Sequence, residues 1–194
     1  MPIYRFTASL DNTITNAFKL GLRNRATGSN QGLADSLQIF SIYGQASGTA
    51  GIGTTVEKSR VLIQFPVDEI SAARDNGTIP ASGSVNFYLR MFNARHPFTV
   101  PREYTLVANP VSQSWQEGYG LDVDSFIDTG YSNWIAASSA SSGITDWTTE
   151  GGTYITGTDA GAANNTAYTY KQTFKKGIED LEMEVSNAVE DWIK

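Results

Sequence analysis

The feature that most constrains this chain is the run Val85-Asn86-Phe87-Tyr88-Leu89-Arg90-Met91-Phe92, which alternates without a break. Successive side chains of a strand point to opposite faces, so Val85, Phe87, Leu89 and Met91 share one side. That side is wholly apolar and is expected to face a core. Asn86, Tyr88, Arg90 and Phe92 form an amphipathic outer side that meets water or a partner. A half-buried strand needs a sheet, and a sheet with one greasy face needs a second layer.

Further strands are expected along the chain. Arg60 to Phe65 is a short apolar run stopped by Pro66, which cannot donate a ladder hydrogen bond. Tyr104 to Asn109 runs into Pro110, and Ser36 to Tyr43 alternates more loosely. Tyr4 to Leu10 reads as a first strand or an extended arm. Val67 to Gly77 reads as a short helix with Ile70 and Ala73 inward and Asn76-Gly77 as its stop. Residues 132–170 are rich in Gly, Ser, Thr and Asn, with short strands expected near Trp147 and over Thr153 to Ile155. At the end, Leu181, Met183 and Val185 alternate with Glu182, Glu184 and Ser186. Val185, Val189, Trp192 and Ile193 then fall at helical spacing, with Asn187 and Glu190 placed as a capping box and Trp192 as the anchor. Strands with small helical inserts predict a mainly β chain: an antiparallel β-sandwich or jelly roll with short helices. The expected division is an N-terminal arm or first strand over 1–30 and a sandwich over 31–194.

Composition narrows function. The chain has 194 residues, no cysteine, 14 basic and 20 acidic side chains, and a formal charge of −6. Disulfides and thiolate zinc sites are excluded. The negative balance opposes a phosphate backbone, so nucleic acid is not an expected partner. No secretory signal pattern and no membrane-spanning apolar stretch is present in the sequence, so membrane insertion is not expected.

The candidates for chemistry are few. His96 is the single histidine and precedes Pro97, as a loop residue would; no Gly-x-Ser-x-Gly elbow accompanies it. Gly28, Gly32, Gly51 and Gly53 lack the Lys-Ser or Lys-Thr of a phosphate loop. Glu117, Asp122, Asp124 and Asp128 make an acidic loop whose oxygens suit calcium, with Glu117, Asp122 and Asp124 as the candidate ligands, although the spacing is not that of an EF-hand. The same carboxylates could serve as a glycosidase pair, but nothing orders them at a defined separation. Tyr119, Tyr131, Trp134, Trp147 and Tyr154 are concentrated in the loop-rich half. Tyr119, Trp134 and Trp147 are the candidates for stacking on a sugar or anchoring a partner. Trp115 and Trp192 are assigned to the core.

Taken in order, several pieces resemble the DNRLRE-type β-sandwich domains. Ser59 to Val67 followed by Ile79 to Arg90 looks like that family's central pair of strands. Val107 to Gly118, with Trp115-Gln116-Glu117-Gly118, is similar to its next strand and turn. Leu181 to Trp192 resembles its late strand and short helix. The resemblance covers roughly two-thirds of the chain, and its nearest flavour is the virion structural proteins of tailed bacteriophages, those of marine cyanobacteria in particular. It implies a collar, fibre or head-surface component without catalysis, located in the virion, whose partners are further copies of itself and other virion proteins. Host-surface glycans are further candidate partners, since other members are carbohydrate-binding modules. The family continues past its short helix with closing strands. Here Ile193-Lys194 comes at that point, so a longer protein, or a partner strand added at an edge, is expected to complete the sheet.

Overall fold

The computed structural model describes residues 3–48, 51–97, 99–125, 131–140, 143–155 and 168–193. It is mainly β, in small antiparallel sheets with two short helices. The described chain forms two compact units, each assembled from separate stretches. The division therefore threads through the chain differently from a boundary near residue 30.

The unit made of Ala8–Phe65 and Gln113–Thr153 holds a three-stranded sheet of order β1-β3-β2 and the hairpin β6-β7. β1 is Leu10–Thr15, β2 Ser41–Gly48, β3 Gly51–Gln64, β6 Ala136–Ala140 and β7 Gly143–Asp146. The first strand thus starts where the expected one ended. The segment from Ile3 to Ser9 is not a strand. β2 begins at Ser41 and not at Ser36, because the preceding backbone is held by side chains. Gln38 N–H donates to Thr13 Oγ1 and Phe40 N–H to Ser59 Oγ.

Three tryptophans, Trp115, Trp134 and Trp147, are buried in this unit, as are Ile14 and Leu62. Trp147 is buried with its indole N–H on the Asn133 carbonyl at 2.8 Å. The Arg60 guanidinium lies over the Trp134 ring, 5.1 Å from its centre, and donates to the Gly151 carbonyl at 2.7 Å. Gly151 sits at φ +84°, and a Cβ there would stand 2.8 Å from the Trp134 ring. Glycine is therefore required by both backbone and packing. This explains how an arginine belongs on an otherwise apolar strand: its charge is spent on an aromatic face and a carbonyl.

The other unit, Met1–Thr7 with Pro66–Ser112 and Tyr154–Lys194, carries β4 (Tyr88–Met91), β5 (Tyr104–Ala108), β8 (Tyr170–Phe174), β9 (Leu181–Glu184) and both helices. β4 pairs with β9, and β5 with β8. The Gln172 amide stitches β8 to β9, donating to Asp180 O at 2.8 Å and accepting from Glu182 N–H at 2.7 Å. The alternation at Val85 to Phe92 is obeyed throughout: the odd positions are half-buried and the even ones exposed, although ladder pairing covers only Tyr88–Met91.

Helix α1 spans Val67–Asp75 with Ile70 buried, and the chain leaves it through Gly77 at φ +78°. Helix α2 spans Ser186–Trp192. Its start corrects the expected capping box. The N-cap residue, Val185, offers no side-chain cap; the Tyr170 hydroxyl accepts from Ala188 N–H at 3.1 Å, and Glu190 forms a bidentate pair with Arg74 of α1 at 2.7 and 3.0 Å. Trp192 is also corrected. It is 46% exposed, while Ala188, Val189 and Ile193 provide the buried stripe. The helix ends at Trp192, so the inward position of the last turn falls to Ile193.

Candidate contact surface

β1 reads Leu10-Asp11-Asn12-Thr13-Ile14-Thr15, and its polar residues are interior. Asn12, Thr13 and Thr15 are as fully buried as Ile14, along with Ser29, Asn30 and Ser132. Buried polar groups require partners; Asn12, Thr13 and Thr15 find theirs on neighbouring segments, whereas Asn30 Nδ2 has none among the described residues. Asn12 Nδ2 donates to Ser132 Oγ at 2.8 Å and to Ser132 O at 3.1 Å, while its Oδ1 accepts from Gln31 N–H at 3.0 Å. Thr15 Oγ1 donates to Lys58 O and accepts from Ala17 N–H. Through Asn12 the strand ties down two segments, at Gln31 and Ser132, that have no ladder of their own, while Thr15 bonds both to β3 and to the turn at Ala17.

Three glycines tighten the same arrangement. Asn30 Oδ1 accepts from Gly120 N–H at 2.9 Å. A Cβ on Gly120 would fall 1.8 Å from the Asn30 carbonyl oxygen, one on Gly118 2.0 Å from Asn30 Oδ1, and one on Gly32 2.1 Å from the Gly118 carbonyl oxygen. Backbone passes against backbone here, which only glycine permits.

Loops fixed in this way present apolar side chains outward. The turn 18–25 is closed by a Phe18–Arg25 bridge, with the Arg25 guanidinium 4.4 Å from the Phe18 ring centre. It displays Leu20, 92% exposed, and Leu22, at φ +54°. A leucine in the left-handed region costs about 1–3 kcal/mol. The turn is held to the next loop by Leu20 N–H on Asp124 Oδ1 at 2.8 Å and by Lys19 Nζ on Asp124 O at 3.1 Å. On that loop Leu121 and Tyr119 are exposed, and its Gly120 carbonyl accepts from Leu33 N–H, also an exposed leucine. The 118–125 loop thus bonds to both neighbours, and the three together carry Leu20, Leu22, Leu33, Tyr119 and Leu121.

The expected site residues are separated by this geometry. Tyr119 is 54% exposed and meets Tyr131 edge to face, ring centres 4.7 Å apart. Trp134 and Trp147 are corrected: both are buried, so neither offers a ring face to a sugar or a partner. Trp115 is buried as expected. Tyr154 forms a bridge with Val111.

The three candidate calcium ligands are engaged separately. Each carboxylate serves its own backbone surroundings. Glu117 Oε1 accepts from Asp11 N–H at 2.7 Å; Asp122 Oδ1 accepts from Asp124 and Ser125 N–H; Asp124 Oδ1 holds Leu20. Among the described residues no three His, Asp or Glu side chains gather as a metal site. Asp128 lies outside the described residues. Burial, and then the Glu117 charge, push the Asp11 carboxyl above its usual range. His96 is exposed in a loop. Nothing in the sequence pattern signals the leucine surface, since isolated leucines in turns carry no period. The Gly118-Tyr119-Gly120 spacing is the one local sign that the chain there runs tightly against something.

No family model, curated protein or solved structure matches the chain.

Proposed function

We propose that this chain is a non-catalytic contact module, a structural component of a tailed-phage virion that works by burying its loop surface against neighbouring protein. The observation that carries the contact reading is the set Leu20, Leu22, Leu33, Tyr119 and Leu121, exposed on loops joined to one another at the surface through Asp124 and anchored below by the buried bond from Gly120 N–H to Asn30. Apolar anchors on a pre-ordered surface bind without the entropic cost of ordering loops. A strained leucine, nine-tenths-exposed Leu20 beside it, is a poor choice for stability alone and a sound one for contact. The virion setting rests on the resemblance of the central strands, the Trp115 turn and the terminal strand and helix to virion structural proteins.

The test is a triple variant, Leu20→Ser, Leu22→Gly and Leu121→Ser. Glycine relieves the positive φ at position 22, so thermal stability should be unchanged or higher. Incorporation into particles, measured by their protein composition after purification, should fall at least tenfold. Equal incorporation of the variant and the parent chain overturns the reading.

Adhesion to host glycan is a second reading favoured by one observation, the exposed Tyr119 with Tyr131 against it. Tyrosine faces stack on sugars. Binding to host-surface polysaccharide that disappears on Tyr119→Ala supports it, and its persistence in that variant counts against it.

A further inference from the structure

β3, with 14 residues, is longer than either partner and divides between them. Its second half, Ser59–Gln64, pairs with β1, and its first half, Gly51–Lys58, pairs with β2. Among the described strands β2 pairs with β3 alone, so beyond the reach of β1 the two form a two-stranded ribbon. Eight residues of strand extend about 27 Å, and a two-stranded ribbon is marginal in water by itself.

The backbone directions of the ribbon follow from its base. Ser59 N–H donates to Phe40 O at 3.1 Å, so Phe40 and Ser59 are a hydrogen-bonded pair. In an antiparallel ladder such pairs alternate, and the register Ile42↔Glu57, Gly44↔Thr55, Ala46↔Gly53 continues them. The N–H and C=O groups of Ser41, Tyr43, Gln45 and Ser47 therefore point away from β3, along the outer edge of β2. The opposite edge of the ribbon, on β3, is overhung at its base: Lys58 N–H donates to Asn16 Oδ1, and Phe18 N–H to Glu57 Oε2. The β2 edge is the one open along its length among the described residues.

Exposed edges are normally blunted by charge or proline. From Ile42 to Val56 there are fifteen residues without a charged side chain or a proline, in a chain with 14 basic and 20 acidic residues. This selects the partner. When a strand pairs with its own copy about a two-fold axis, a charge near the middle of the strand is brought close to the same charge of the copy, which is unfavourable. An uncharged strand carries no such penalty. We infer that β2 is a self-pairing edge: it joins β2 of a second copy of this chain, antiparallel, to make a continuous four-stranded ribbon β3-β2-β2-β3. The inference rests on the contact-module reading and supplies its partner, and an isologous pair of this kind is the simplest closed assembly.

Proline at position 45 removes an outward N–H and no bond of the β2–β3 ladder, so Gln45→Pro separates the two edges. Gln45→Lys places like charges together in the pair with no backbone change. The full chain, studied by sedimentation across micromolar to millimolar concentration, should dimerise, and each variant should weaken the dimer at least tenfold with an unchanged unfolding midpoint. Amide exchange at Tyr43, Gln45 and Ser47 should slow as the concentration of the parent chain rises. A parent chain that stays monomeric, or dimers equally tight in the parent and Gln45→Lys, overturn the inference. Should the dimer survive Gln45→Lys but fail in the Leu20, Leu22, Leu121 variant, the contact-module reading stands and the self-pairing edge falls.

Discussion

Asn12 ties β1 to two loop segments, at Gln31 and Ser132, and the effect of its removal follows atom by atom. In Asn12→Ala, the Ser132 carbonyl loses the Asn12 Nδ2 donor at 3.1 Å and the Ser132 hydroxyl loses a donor at 2.8 Å. Gln31 N–H loses Asn12 Oδ1 but keeps the Thr13 carbonyl at 3.1 Å, so its share is small. The hydroxyl can rotate to another partner; the carbonyl cannot. A buried carbonyl left unpaired costs about 1–3 kcal/mol, and the cavity where the amide stood adds about 1 kcal/mol. The expected loss is about 2–4 kcal/mol, a large share of the roughly 5–15 kcal/mol typical of whole domains. Ser132→Ala deletes only the hydroxyl, leaves Asn12 its carbonyl partner, and should cost about 0.5–1.5 kcal/mol. Urea unfolding followed by tryptophan fluorescence suits the question, because Trp115, Trp134 and Trp147 are the buried tryptophans and belong to the same unit as Asn12. The midpoint should fall with an unchanged slope. A loss below about 1 kcal/mol for Asn12→Ala, or a loss no larger than that of Ser132→Ala, refutes the assignment of Asn12 as the tie between β1 and the loops.

Two predictions concern the other unit. Arg74 and Glu190 are each 15% exposed and bonded twice, the pairing holding the guanidinium in its charged form; Glu190→Ala should lower stability by about 1.5–3 kcal/mol in chemical unfolding, and the apolar pair Arg74→Met with Glu190→Leu should recover much of it. Glu179 closes the turn between β8 and β9 by accepting from the N–H groups of Lys175, Lys176 and Ile178. These bonds, that of Lys176 foremost, hold its carboxyl down at about 2. A lowered carboxyl stabilises the fold above the ordinary value of 4.5 and loses that effect as pH falls toward 2. The melting temperatures of the parent chain and Glu179→Gln should therefore differ at pH 6 and converge by pH 2, and a gap independent of pH contradicts the role.

What the sequence made legible, and what it hid, divides along one physical line. Where burial follows apolarity, the pattern was sufficient: Leu89 and Met91 face inward, Tyr88 and Arg90 outward, Ile70 points into the core from α1, and Met183 does so from β9. β1 was missed because its burial is polar. Asp11-Asn12-Thr13-Ile14-Thr15 carries one large apolar residue and reads as loop, yet Asn12, Thr13 and Thr15 sit inside, bonded to loop backbone at Gln31 and Gln38 and to β3 at Lys58. Solvation works against such burial until the whole set of partners is present, so no window of a few residues can reveal it. The tryptophans were misjudged for the related reason that a loop-rich context suggested exposure. Trp134 and Trp147 are interior because the polar network brings loop backbone, Gly151 and the Asn133 carbonyl, up to their rings. The same reasoning bears on the contact surface. Since Asp124 holds the Leu20 turn and Asn30 holds Gly120 beside Leu121, these apolar residues need no local core to hold them outward. On the proposed contact reading, the outer leucines can change, and the partner with them, without disturbing the buried bonds beneath.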